Sequence, residues 1–192
     1  MPIDLAKLTG NEDIVDALGL VCDLYFVTDE NDRNEPLWCT VDGANRFVSL
    51  ARDGSGGRFV AVPPSPRVIH ASSEGQAGVV GQTVDEFIIL SVTCPYWRDL
   101  LKFSGGGRLE EMRRAQPALE RYWLDDVEDS GPTRTFLMSA IGITRPDDIV
   151  GLLYRNITTP VSIVHAEDGY RLEPLSGKFT VDINPMIKQY LD

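Results

Sequence analysis

Residues 49–62 read SLARDGSGGRFVAV. The stretch sets a strand on either side of a glycine-rich turn, and such turns have two uses. A phosphate cradle needs a run of backbone N–H groups, a Lys followed by Ser or Thr, and a helix behind the glycines. Here no Lys-Ser or Lys-Thr pair is present, and a strand-like RFVAV follows where a helix would be needed. The dinucleotide fingerprint fails for the same reason. The turn therefore reads as a chain reversal, with positive φ expected at Gly54 or Gly56 and Asp53 placed to bond its own turn amides.

Working outward, Pro63 and Pro64 end the second strand, because proline cannot donate to a central ladder. PRVIHAS (66–72) reads as the next strand. Before the hairpin, residues 3–18 carry apolar side chains at helical spacing, with Asn11 ahead of Glu12 and Asp13 as a helix start. LVCDLYFV (20–27) reads as a buried strand, TDENDRNE (28–35) as a charged loop and PLWCTV (36–41) as a short strand. From Val84 the apolar period becomes helical, and Pro95 divides the stretch into two helical pieces meeting at Cys94-Pro95.

In YWRDLLKF (96–103) the spacing buries Tyr96, Leu100 and Phe103 and turns Arg98, Asp99 and Lys102 to solvent. Trp97 falls between the two faces and becomes a partner contact if exposed beside Arg98. LEEMRRAQPALERYWLDDV (109–127) is a helix with a kink or break expected at Pro117. SGPTR reads as a loop, and periodicity leaves TFLMSAIGI (135–143) open between strand and helix. Residues 144–157 form a helix with Thr144 as its cap. PVSIVHAEDGYRLEP (160–174) forms a hairpin on EDG, and NPMIKQYL forms a short terminal helix. Strands grouped in hairpins, never alternating strand–helix–strand, give an α+β class: a mostly antiparallel sheet of about five to seven strands flanked by helices.

At 192 residues and 43% hydrophobic the chain reads as one domain, with residues 130–192 as an elaborated C-terminal part. No apolar run approaches the ~20 residues a membrane-spanning helix needs. The N-terminal stretch lacks a basic-then-apolar signal pattern. Cys22, Cys39 and Cys94 are odd in number, far apart and set among apolar neighbours. They read as buried free thiols in a reducing compartment, and the expected location is the cytoplasm.

Net charge is −11, and residues 1–45 contribute −8 of it, ten acids against Lys7 and Arg33. Such a surface repels nucleic acid, which is bound by Lys and Arg, and steers basic proteins. Asp29, Glu30, Asp32 and Glu35, together with Trp97, are the candidate partner-binding residues.

Signals for chemistry are weak. His70 and His165 lie 95 positions apart in strand patterns with no metal-ligand spacing. No Gly-x-Ser-x-Gly elbow accompanies them, and Asp125-Asp126 and Asp147-Asp148 sit at helix ends where capping accounts for them. The expectation is a protein without catalytic residues, metal or cofactor. A second glycine cluster, SGGGRLEEM (104–112), opens a helix and carries Arg108. It supports the alternative of a small-molecule or anion-binding regulatory domain using the 104–108 turn, although Glu110 and Glu111 would oppose a phosphate.

Over residues 47–92 the chain resembles the SUKH superfamily. Ala51, Asp53, Gly54 and Gly56 match its Ala-x-Asp-Gly-x-Gly hairpin. Ser73 and Glu74 match the segment after the next strand, and Val84, Glu86 and Phe87 match its helix start. The chain departs from the family in lacking the Pro-rich first helix and the Asn-Gly-Gly turn. The resemblance implies a binding protein: bacterial members are mostly immunity proteins that neutralise toxins, often nucleases, and eukaryotic relatives act as regulatory scaffolds. It brings no catalytic motif and implies a toxin domain as partner; the acidic N-terminal third, independently, makes that partner a basic protein, and neither nucleic acid nor membrane is expected.

Overall fold

A computed structural model describes residues 2–33, 35–43, 46–102, 108–165 and 168–176, without the side chains of residues 31 and 32. The class is α+β. A six-stranded sheet is built from β1 (Tyr25–Phe26), β3 (Val48–Arg52), β4 (Arg58–Ala61), β5 (Val68–Ala71), β6 (Gln76–Gly81) and β8 (Glu173–Pro174). The strands lie in the order β1-β3-β4-β5-β6-β8, antiparallel throughout except for the parallel β6–β8 pair. A separate antiparallel ribbon pairs β2 (Cys39–Val41) with β7 (Ile163–His165).

The alternation of side chains along each strand explains why the sheet is buried on both faces. On one face Ala51, Phe59, Val68 and Val80 meet the helices. On the other, Val60, Ile69, Ala71 and Val79 meet Cys39, Val41 and Ile163 of the ribbon. The helical layer comprises α1 (Leu5–Thr9), α2 (Glu12–Cys22), α4 (Val84–Thr93), α5 (Trp97–Lys102), α6 (Leu109–Asp126), α7 (Ser130–Ile141) and α8 (Ile149–Ile157); the short α3 (Glu30–Arg33) precedes the ribbon. Cys22, Cys39 and Cys94 are buried free thiols, as their neighbours suggested.

The hairpin and the break at Pro95 form where the sequence placed them. Asp53–Gly57 joins β3 to β4, with Arg52 opposite Arg58 and Gly56 at φ 91°. Asn11 caps α2 by accepting from the Ile14 amide at 3.2 Å. Thr83 likewise caps α4 through the Glu86 amide at 3.1 Å.

Other elements differ from the sequence reading. LVCDLYFV is not one strand: α2 runs through Val21 and Cys22, Asp23 turns left-handed at φ 50° as its C-cap, and only Tyr25–Phe26 is extended. Asp is among the few residues other than Gly that adopt that conformation, and the Asp23 carboxylate is held there by the Gly54 amide and Arg98. SGPTR is the first turn of α7, with Pro132 placed early enough that its missing N–H costs no intrahelical bond. This also settles residues 135–141 as helix. Pro117 lies inside the continuous α6. The helix expected over 144–157 begins at Ile149, capped by Asp148 accepting from the Gly151 amide at 2.9 Å, with Thr144 outside it.

The expected C-terminal hairpin is short. The chain reverses through Gly169 at φ 70°, a single bridge joins Val164 to Arg171, and the strand beyond goes instead to β6. Residues 166–167 of that turn and the terminal stretch NPMIKQYL lie outside the described residues.

Candidate partner-binding surface and the ion cluster beneath the turn

Alternation along β5 puts His70 on the helical face, directly opposite Phe59 of β4. Its imidazole stacks on Phe59 at 4.6 Å and meets Trp97 edge-on at 5.4 Å. Asp53, at the start of the turn, drops its carboxylate into this layer with 1% of its side chain exposed. There Oδ1 accepts from the Gly57 amide at 2.8 Å, the Ser55 amide at 3.0 Å and the Ser55 hydroxyl at 2.7 Å. Oδ2 lies 2.9 Å from His70 Nε2 and accepts from Arg98 Nη1 at 3.0 Å. A carboxylate only accepts, so Nε2 carries the imidazole proton. Nδ1 is buried without a partner.

Arg98 spans the cluster, its other nitrogen reaching Asp23 at 2.5 Å. Asp23 also accepts from the Gly54 amide at 2.8 Å. The left-handed cap of α2, the hairpin turn and α5 are thus joined through one guanidinium. Gly57 is required by the close approach: a Cβ there would lie 2.5 Å from Asp53 Oδ2 and 2.8 Å from His70 Nε2. Ser, His and Asp meet here, but the carboxylate is the hub. Ser55 gives its proton to Asp53 rather than to His70, and His70 is 3% exposed. The arrangement fastens three elements.

Burial alone would raise the Asp53 carboxyl. The hydrogen bonds from His70, Ser55 and the Gly57 amide outweigh it and hold the group far below the usual carboxylate range. Burial also pushes His70 below its ordinary 6.5, against the pull of Asp53. Both shifts act in the same direction. A depressed His70 makes the unfolded chain take up a proton that the folded one refuses, so stability falls as pH drops below about 6.5. Asp53 adds a further loss below about pH 4, where the unfolded carboxyl protonates first. We expect the urea midpoint to decrease from pH 7 to 5 in the native protein. In His70→Gln it should stay level over that interval, and a level native profile would contradict the neutral, buried imidazole.

The partner-binding candidates separate. Trp97 is corrected: at 2% exposure it packs against His70 and Phe59, because α5 is wedged between the sheet and α6 and buries more than one stripe. Arg98 does not simply face solvent either; it is 31% exposed and ion-paired, with its guanidinium 5.6 Å from the Trp97 ring centroid. Tyr96 and Leu100 are buried as expected, and Lys102 and Asp99 pair with each other at 2.7 Å. Phe103 lies outside the described residues.

Among the acids, Glu35 is engaged by Arg58 and, at 3.1 Å, by Arg52. The Arg58 hydrogen bond draws its carboxyl below the usual range. Asp29 and Glu30 are exposed just before and at the start of α3, and the Asp32 side chain lies outside the described set. Asp4 is consumed as the α1 cap and Asp42 accepts from the Ser162 amide at 2.8 Å. Glu12, Asp13 and Asp16 of α2 are exposed.

A feature without a sequence signal lies between α2 and α7. Leu20 (69% exposed), Tyr25 (50%) and Phe136 (44%) line one open groove of about 950 Å³, with Asp16 and Asp129 on its margin. Each of the three reads as an ordinary apolar residue along the chain, and only the packing of α2 on α7 brings them together.

For the anion-binding alternative, residues 104–107 lie outside the described set. Arg108 occupies the N-cap position of α6. Glu110 and Glu111 pair with Arg113 at 2.9 Å and Arg114 at 2.7 Å. Among the described residues no cluster of His, Cys, Asp and Glu forms a metal-holding group, and no helix is long and apolar enough to cross a membrane. Compared with protein-family models, curated proteins and solved structures, the chain matches none of them.

Proposed function

We propose that this chain is a protein-binding domain without turnover of its own: a SUKH-like immunity protein that neutralises a basic toxin domain in the cytoplasm. The observation that carries the reading is where the N-terminal charge ends up. Asp4, Asp23, Glu35 and Asp42 serve inside the fold, whereas Glu12, Asp13 and Asp16 stand exposed along α2. Carboxylates held at a surface meet the Lys and Arg side chains with which a nuclease grips phosphate, and so cover its substrate site. The Ala-x-Asp-Gly-x-Gly hairpin supports the family resemblance, with Asp53 locking the turn and Gly56 at positive φ.

If charge steers the encounter, association with the product of the neighbouring gene slows about tenfold or more between 0.02 and 0.3 M salt. The triple change Asp29→Asn, Glu30→Gln, Asp32→Asn slows it several-fold at low salt, a larger effect than its change in the urea midpoint. Glu35→Gln, by contrast, shifts the midpoint, because Glu35 holds Arg52 and Arg58 together. Association rates that ignore both salt and the triple change would remove the steering role.

A further inference from the structure

We infer that the groove between α2 and α7 is the docking site for a segment of the basic partner, one that inserts an apolar or aromatic side chain flanked by Lys or Arg. The inference rests on the protein-binding reading above and assigns it a surface. Three large apolar side chains, Leu20, Tyr25 and Phe136, are exposed together rather than scattered, which is the arrangement that marks an interaction surface. Tyr25 is also held in place: its ring lies over Gly19, where an added Cβ would come within 2.9 Å of it. Tyr25 therefore loses little side-chain freedom on binding.

Charge selects the occupant. Asp16 from α2 and Asp129 at the start of α7 stand on the margin, both exposed, and no Lys or Arg lines the groove among the described residues. Arg134, the basic residue of α7, is turned away onto Glu120 at 2.9 Å and the Trp123 ring at 5.2 Å. The nearby end of α6 and the turn after it add exposed Asp125, Asp126 and Glu128. An acidic segment would be repelled here. A segment with an apolar anchor and cationic flanks gains both burial and attraction, with the anchor supplying most of the binding energy.

The test is a displayed library of random twelve-residue peptides selected on the intact protein and counter-screened on Leu20→Ser/Phe136→Ser. Leu20 is 69% exposed and Phe136 44%, so the double variant keeps the fold at a modest loss of stability, and a cooperative urea transition confirms that it is folded before binding is compared. A second variant, Asp16→Lys, changes only an exposed helix position. The expected result is enrichment of peptides with a Leu or aromatic residue next to Lys or Arg. Their affinity drops at least tenfold on the double variant and several-fold on Asp16→Lys. No enrichment, enrichment without basic residues, or equal binding to the variants would overturn the assignment. So would a concentration-dependent dimer of the native chain that the double variant abolishes, since the groove would then serve a second copy. The neighbouring gene's product separates this inference from the reading beneath it. If it binds the native chain and the double variant equally, the groove falls and the immunity reading stands. If it binds neither, the immunity reading falls and the peptide selection still decides the groove.

Discussion

Replacing Asp53 with alanine is expected to lower the unfolding free energy by about 3–5 kcal/mol, the cost of breaking a buried ion pair from one side. The carboxylate takes bonds from the Gly57 and Ser55 amides, the Ser55 hydroxyl, His70 and Arg98, so its loss strands several buried donors at once. Domains of this size have about 5–15 kcal/mol in all, and the variant sits near the edge of stability. Asp53→Asn keeps the shape and one acceptor oxygen, and should lose less. Urea denaturation at pH 7 measures both. A near-native midpoint for Asp53→Ala would mean that the turn closes without its carboxylate and that Gly57 and Arg98 are held by something else.

Trp97→Ala is expected to cost about 3–5 kcal/mol, as for other fully buried aromatic side chains. Its ring closes the layer of Phe59, His70 and Phe87 beneath the hairpin. The consequence for function is specific. Partner affinity, measured under conditions where the variant is folded, should equal that of the native protein, because the side chain reaches no surface. Weakened binding at unchanged stability would return Trp97 to the interface.

The contrast between Asp53 and Trp97 shows which parts of the molecule were legible in the sequence. The hairpin was readable because its constraints are local: Asp-Gly-x-Gly-Gly permits few backbone paths, and Pro63-Pro64 closes the strand. The break at Pro95 was readable for the same reason. β6 was not, because QAGVVG is covered on both faces and shows no alternation. Its Gly78 leaves room for Leu175, whose side chain would lie 3.1 Å from an added Cβ. Val21 and Cys22 look like strand residues, yet tertiary packing keeps them in α2 until Asp23 turns the chain. Helical spacing buried Tyr96 and Leu100 correctly but could not say that α5 is packed on two sides, which decides Trp97 and Arg98.

The candidate surface was legible only as charge. Counting ten acids in residues 1–45 set the charge of the proposed partner. It could not tell Asp23 and Glu35, which bind Arg98, Arg52 and Arg58 of the same chain, from Asp16, which faces outward beside an apolar groove. Pairing across 17 to 75 positions of sequence separates structural acids from available ones. The groove itself joins residues 20, 25 and 136, a juxtaposition set by helix packing alone.

The most direct measurement is growth of cells expressing the neighbouring gene's product with and without this chain, paired with co-purification of the two proteins. The account predicts that the neighbour arrests growth alone, that this chain restores it, and that the two elute as a stoichiometric complex. A harmless neighbour, or toxicity unchanged by this chain with no complex recovered, would contradict it.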